Sequence, residues 1–243
     1  MSKNLYRILG FLLSINVVMA IEAPIVIPYE VSYLGIPLLN MTLTWVEDDT
    51  SVRISYDNQL KPYIAYFHPI HNIYNVHFRR DSFWPLSWSK TVSEGDMNFQ
   101  LDAQRSSNGK KVHFSNGYNL DFPPKGYTVF SATHYLANKA NESEFFPVTL
   151  AVFIDGEIWE ATATRYDTSR PHPEEKIKEG EVLIQADLHY LSGQSLVEKN
   201  DILTSVIAQE GTQFLLWVNS QGTFTQAQFG KFPKTVVLKQ IGR

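Results

Sequence analysis

From residue 29 onward, apolar and polar side chains alternate with a period of two, and turn dipeptides interrupt the alternation at close intervals. Tyr29, Val31 and Tyr33 alternate with Glu30 and Ser32, and Val52, Ile54 and Tyr56 with Arg53 and Ser55. Phe99 and Leu101 alternate with Asn98, Gln100 and Asp102; Val112 with Phe114 and, near the end, Val236 with Leu238 continue the pattern. Such a period sends successive side chains to opposite faces of a strand, one face buried and one wet. Asn108-Gly109, Asn116-Gly117 and Asp155-Gly156 supply the residues that tolerate the positive φ of tight hairpins, and Glu210-Gly211 and Gln221-Gly222 mark two more turns. The clearest hairpin enters through residues 148–154 and leaves through 157–166. Many short strands at this spacing predict a sandwich, roll or barrel.

One segment breaks the period. Residues 129–140 (VFSATHYLANKA) place Phe130, Tyr135 and Leu136 on a helical stripe. Pro123-Pro124 stops the strand before it, and Gly126 opens the turn into it. A helix of about three turns is expected, packing its aromatic side on the sheet. Residues 169–180 (SRPHPEEKIKEG) carry two prolines and a run of charge, so they read as an exposed loop. The expectation is a single mostly-β domain over residues 21–243, with 169–180 as the place where it would subdivide.

The first twenty residues read as a secretory signal: Lys3 and Arg7, an uncharged, mostly apolar run from Ile8, and small residues ending at Ala20. Cleavage there leaves a chain starting at Ile21. The apolar run is shorter than the roughly twenty residues of a comfortable span, and no later stretch is longer, so no transmembrane helix is expected in the mature chain. Several segments are too short or too charged for a spanning β-barrel. The chain has no cysteine, which excludes disulfides, thiolate metal sites and Cys-based catalysis, and leaves stability to the hydrophobic core. Of 21 basic residues, Lys3 and Arg7 fall in the signal, leaving 19 against 25 acidic ones. That acidic balance argues against nucleic acid as a partner.

Five segments in order carry a resemblance: YEVSYLGIP (residues 29–37), PLSWSKTVSEG (85–95), FSATHYLAN (130–138), FLLWVN (214–219) and FGKFPKTVVLKQ (229–240). Together they resemble the exported bacterial family known only as domain of unknown function 3108, over nearly the whole mature chain. The resemblance implies a Gram-negative periplasmic or outer-envelope setting. It also implies mostly antiparallel, strongly curled sheets, roll or barrel-like, with one notable helix. It implies no catalytic residues. The chain departs from the family pattern at Thr223-Phe224-Thr225, where a Leu-Pro pair is expected.

No residue set here matches a catalytic, cofactor or metal motif. His68, His71 and His77 lack helical ligand spacing on an extended segment. Ser131 and His134 sit three apart without a nucleophile elbow or an oxyanion hole. Asp48-Asp49 reads as a turn, Glu174-Glu175 as part of the charged loop, and Glu157 and Glu160 as opposite faces of one strand. The most suggestive segment, residues 74–90, interleaves Trp84 and Trp88 with Arg79, Arg80 and Lys90. Rings covering an apolar chain and cations meeting an anionic head would suit an amphiphile; core packing with a solvated edge explains the same residues. Trp88 and Lys90, two apart on a strand, share a face. The expectation is an exported envelope protein that binds an amphiphile, such as a lipid, or a partner protein without catalysis. A structural or assembly factor, or a hydrolase with dispersed residues, are the alternatives.

Overall fold

A computed structural model describes residues 23–65, 69–166, 177–231 and 234–242. The segment read as a secretory signal, His68, and residues 169–176 of the charged loop lie outside them.

Eight strands come first, each pairing with the next: β1 (Ile25–Tyr33), β2 (Ile36–Glu47), β3 (Ser51–Leu60), β4 (Ile70–Arg79), β5 (Pro85–Glu94), β6 (Met97–Arg105), β7 (Lys111–Phe114) and β8 (Asn119–Asp121). A short helix, α1 (Pro62–Ala65), interrupts the connection from β3 to β4. Then come β9 (Gly126–Thr128), α2 (Val129–Lys139), β10 (Val148–Ile154), β11 (Glu157–Arg165), β12 (Val182–Gly193), α3 (Ile202–Ile207), β13 (Gln213–Val218), β14 (Phe224–Lys231) and β15 (Lys234–Gln240). The fifteen strands among the described residues form one sheet, in which β1 pairs with β15 and joins two meanders. Every pair is antiparallel except β9 with β10.

The strongly curled roll or barrel expected from the sequence is corrected here. The ladder stays open, with β8 and β9 as its two edges. Both are three residues long, and Pro123 and Pro124 between them have no N–H to extend a ladder. The chain then passes directly from β9 into α2. Side chains bridge where backbone pairing does not. Trp88 of β5 meets Phe153 of β10 with ring centroids 5.8 Å apart, and Phe114 and Phe122 complete this smaller core. The inward residues of β1 to β4 and β10 to β15, among them Leu43, Ile54, Val76, Trp159, Ile184 and Leu238, share the main core.

The α2 helix forms where the 3.6-residue period predicts it. Thr128 caps it: its hydroxyl accepts from the Ser131 N–H, and the Ser131 hydroxyl accepts from the Thr128 N–H. Ala132, Leu136 and Ala137 are buried. Phe130 reaches Tyr56 and Tyr74, whereas Tyr135 packs on Phe83 and Tyr127, so the two aromatics serve different parts of the core.

The Asp155-Gly156 turn closes the hairpin that pairs Ile154 with Glu157, with φ of 46° and 105°. A Cβ on Gly156 would lie 2.4 Å from the Gln194 carbonyl oxygen, whereas one on Gly117 (φ 91°) would meet nothing within 4 Å. Gly156→Ala is therefore predicted to destabilise the fold by about 1–3 kcal/mol more than Gly117→Ala. Urea unfolding of both variants checks this, and equal losses would count against the close approach.

Candidate binding site

Between the two meanders the main core leaves an apolar cavity of about 120 Å³. Its origin is legible in the inner faces. Ala161, Ala186 and Ala227 line it from β11, β12 and β14, where larger side chains would fill the space. Opposite them stand Val31, Met41, Tyr56 and Tyr74. Phe130 and Leu136 of α2 and Leu203 and Ile207 of α3 complete the wall. Polar groups are few: Asn58, Asn72, Thr133 and the tyrosine hydroxyls. The lining continues to one end of the sheet at Tyr33, Leu38, Leu39 and Ile70, all half-buried. There Leu34, Ile36 and Tyr63 stand more than half exposed, and the Tyr63 hydroxyl donates to the Pro37 carbonyl at 2.9 Å.

A buried polar network holds α3 in this wall. Asp201 caps α3, accepting from the Thr204 N–H at 3.0 Å. Its carboxylate also accepts from the Tyr74 hydroxyl at 2.8 Å, the Thr204 hydroxyl at 2.9 Å and Lys90 Nζ at 3.0 Å. Lys90 pairs in addition with Asp155 in the β10–β11 turn. Glu94 accepts from the Ile202 N–H and from Asn72. Burial works against the charges of Lys90, Asp155 and Asp201. At Asp201 burial raises the pKa, but Lys90 and the hydrogen bonds outweigh it and leave the carboxyl below its ordinary range. At Asp155 burial prevails over Lys90 and the carboxyl is held above that range. Lys90 is pushed down by burial and raised further by the two carboxylates, so it stays charged. The ammonium is sealed between two carboxylates, which suits a clamp on α3 rather than a reacting group.

A second interior pair joins α2 to the sheet. His134 Nε2 lies 2.6 Å from the Tyr56 hydroxyl, among Trp45, Phe78 and Phe224. Burial lowers the imidazole to about 3, so it is neutral at neutral pH. The Ser131 hydroxyl is engaged with Thr128, and no serine–histidine bond forms between residues 131 and 134.

None of the five residues singled out in the segment 74–90 lines the cavity. Trp88 and Lys90 do share the inner face of β5, but they part company there: Trp88 is half-buried in the smaller aromatic core, and Lys90 is 6% exposed, inside the α3 network. Trp84 is half-buried, with the Arg105 guanidinium 5.8 Å from its ring. Arg79 and Arg80 are exposed, paired with Asp81 and Glu47. His71 lies 3.0 Å from Asp57, and among the described residues no group of three or more His, Asp or Glu is placed to hold a metal. Nor is any helix among them long and apolar enough to cross a membrane. The sequence reading missed the cavity, α3 and Asp201. The last had a local signal, an Asp three residues before Thr204, as an N-cap requires.

No family model matches the chain, and no curated protein matches it. Among solved structures it is similar to a "Beta-barrel-like Protein of Domain of Unknown Function DUF1849" from Brucella abortus, at 9% identity and a TM-score of 0.52, covering 90% of this chain and 95% of that one. The likeness is one of fold.

Proposed function

We propose that this is an exported protein of a bacterial envelope that takes up the apolar chain of an amphiphile between its two meanders. The observation that carries the reading is the cavity. It is lined almost wholly by carbon, and it reaches the end of the sheet where Leu34, Ile36 and Tyr63 are exposed. An engineered cavity of about 150 Å³ lined by Leu, Ile and Phe stays dry and admits benzene. A space of about 120 Å³ accordingly suits the end of one hydrocarbon chain, with the remainder leaving through the apolar rim. The basic, then apolar, then small-residue order of residues 3–20 supports export, as does the resemblance to domain of unknown function 3108. An enclosed apolar space favours an amphiphile over a protein partner, which needs exposed area instead.

The test is displacement of a fluorescent fatty acid by palmitate, in the wild type and in Ala186→Phe and Ala227→Leu. Each added side chain enters the cavity. Both variants are predicted to unfold cooperatively and to bind at least about tenfold more weakly, a loss of about 1.4 kcal/mol. Equal affinity in folded variants, or no displacement with the wild type, rejects the reading.

A further inference from the structure

The other face of strands β3 to β7 carries a groove of about 710 Å³, separated from the cavity by the thickness of the sheet. Its floor is a row of cross-strand partners: Arg53 faces His77, His77 faces Ser87, Ser87 faces Gln104, and Gln104 faces His113. Beside it runs a second row, in which Ser55 faces Asn75, Asn75 faces Ser89, and Ser89 faces Asp102. With strands about 4.8 Å apart, the four intervals of the first row make it about 19 Å long and the three of the second about 14 Å.

Charge is uneven along this groove. At the β3–β4 end, among the described residues, Arg53 makes no ion pair or side-chain hydrogen bond, and the buried His77 Nε2 has no hydrogen-bond partner. Such an orphaned nitrogen is uncommon, and because it is closed to solvent the ring marks this end of the groove while Arg53 is the group in reach of a ligand. Burial and the adjacent Arg53 both hold His77 below the ordinary imidazole range, so at neutral pH one ring N–H remains to donate. The rest of the floor consists mainly of hydroxyls and amides, which donate and accept in turn, and the Asp102 carboxylate and His113 lie at the opposite, β6–β7 end, away from Arg53. That is the pattern for a ligand rich in hydroxyls with one anionic group at its end. A nucleic acid would need several unpaired cations to meet its phosphates.

We propose that this groove binds a short anionic saccharide, with its acidic group on Arg53, at the end of the groove that His77 lines, and its hydroxyls along Ser87, Ser89 and Gln104. The proposal is independent of the cavity, which opens elsewhere. The test is a two-dimensional amide NMR titration with trigalacturonate, maltotriose and inorganic phosphate, on the wild type and on Arg53→Ala and Gln104→Ala. These are surface changes. Trigalacturonate is expected to saturate with shifts on β3 to β7, and each substitution is expected to weaken it about tenfold or more. Maltotriose and phosphate, each offering half of the chemistry, are expected to bind at least about tenfold more weakly than trigalacturonate. No saturation by trigalacturonate, affinity unchanged in Arg53→Ala, or phosphate binding as well as trigalacturonate would each overturn the proposal.

Discussion

Replacing Lys90 by alanine is expected to destabilise the fold by about 3–5 kcal/mol, the loss typical of removing one partner from a buried ion pair. Two carboxylates are then left without their cation. Asp201 is fully buried and keeps Tyr74 and Thr204 as donors, whereas Asp155 keeps only the Thr204 hydroxyl, 3.2 Å away. The loss should therefore come largely from Asp155. Adding Asp155→Asn to Lys90→Ala should recover part of it, because asparagine carries no charge and tolerates the positive φ of residue 155. In the wild-type background Asp155→Asn alone should be far milder than Lys90→Ala. Burial already holds the Asp155 carboxyl above its ordinary range, so the folded state binds that proton more tightly than the unfolded chain does. The stability from this proton is present below the ordinary carboxylate pKa and is lost as pH rises through the raised one. Urea unfolding of the three variants decides the matter. A loss below about 1 kcal/mol for Lys90→Ala would mean that the two carboxylates need no cation.

Acid should act on the fold through His134. The unfolded imidazole takes up a proton near its ordinary value of 6.5, whereas the folded one resists until about 3. The contribution is fully present above 6.5 and is lost as pH falls toward 3, at about 1.4 kcal/mol per pH unit. Between neutrality and a pH two units below 6.5, wild-type stability should fall by about 2–3 kcal/mol from this residue alone. Other groups titrate in the same range, so the measurement compares the wild type with His134→Gln, which keeps an acceptor for Tyr56 and cannot titrate. The variant should be less stable at neutral pH and should lose less on acidification. Identical pH slopes for the two proteins would show that the buried imidazole is not what acid attacks.

Much of the fold could be read from particular residues. Asp155-Gly156 announced its hairpin because few other pairs accept two successive positive φ values. Residues 129–140 announced α2 because the apolar spacing changes from two to 3.6 there. Strand alternation also put Trp88 and Lys90 on one face. It could not say what that face meets: the partners of Lys90 lie 65 and 111 residues away. The six residues of α3, ILTSVI, are as apolar and β-branched as any strand, and their helix rests on tertiary anchoring by Asp201 and Glu94. The cavity was hidden for a related reason. An alanine at 161, 186 or 227 is unremarkable within its own strand, and only their common position on one wall creates space. The open edge at β8 and β9 depends on two strands of three residues, below what periodicity can resolve.

The pairing of β1 with β15 also bears on how the chain can fold. Tyr29 aligns with Gln240, so neighbours at the centre of the sheet come from opposite ends of the sequence. Either meander can gather by local hairpins, but the join between them waits for the last strand to be made. Loop closure over nearly the whole chain is entropically slow, and long-range pairings of this kind belong to slowly folding proteins. Until then β1 offers one unpaired edge, with Ile25 and Val26 exposed beside it even in the finished fold. The same delay leaves that edge available to chaperones, or to aggregation, for as long as β15 is missing.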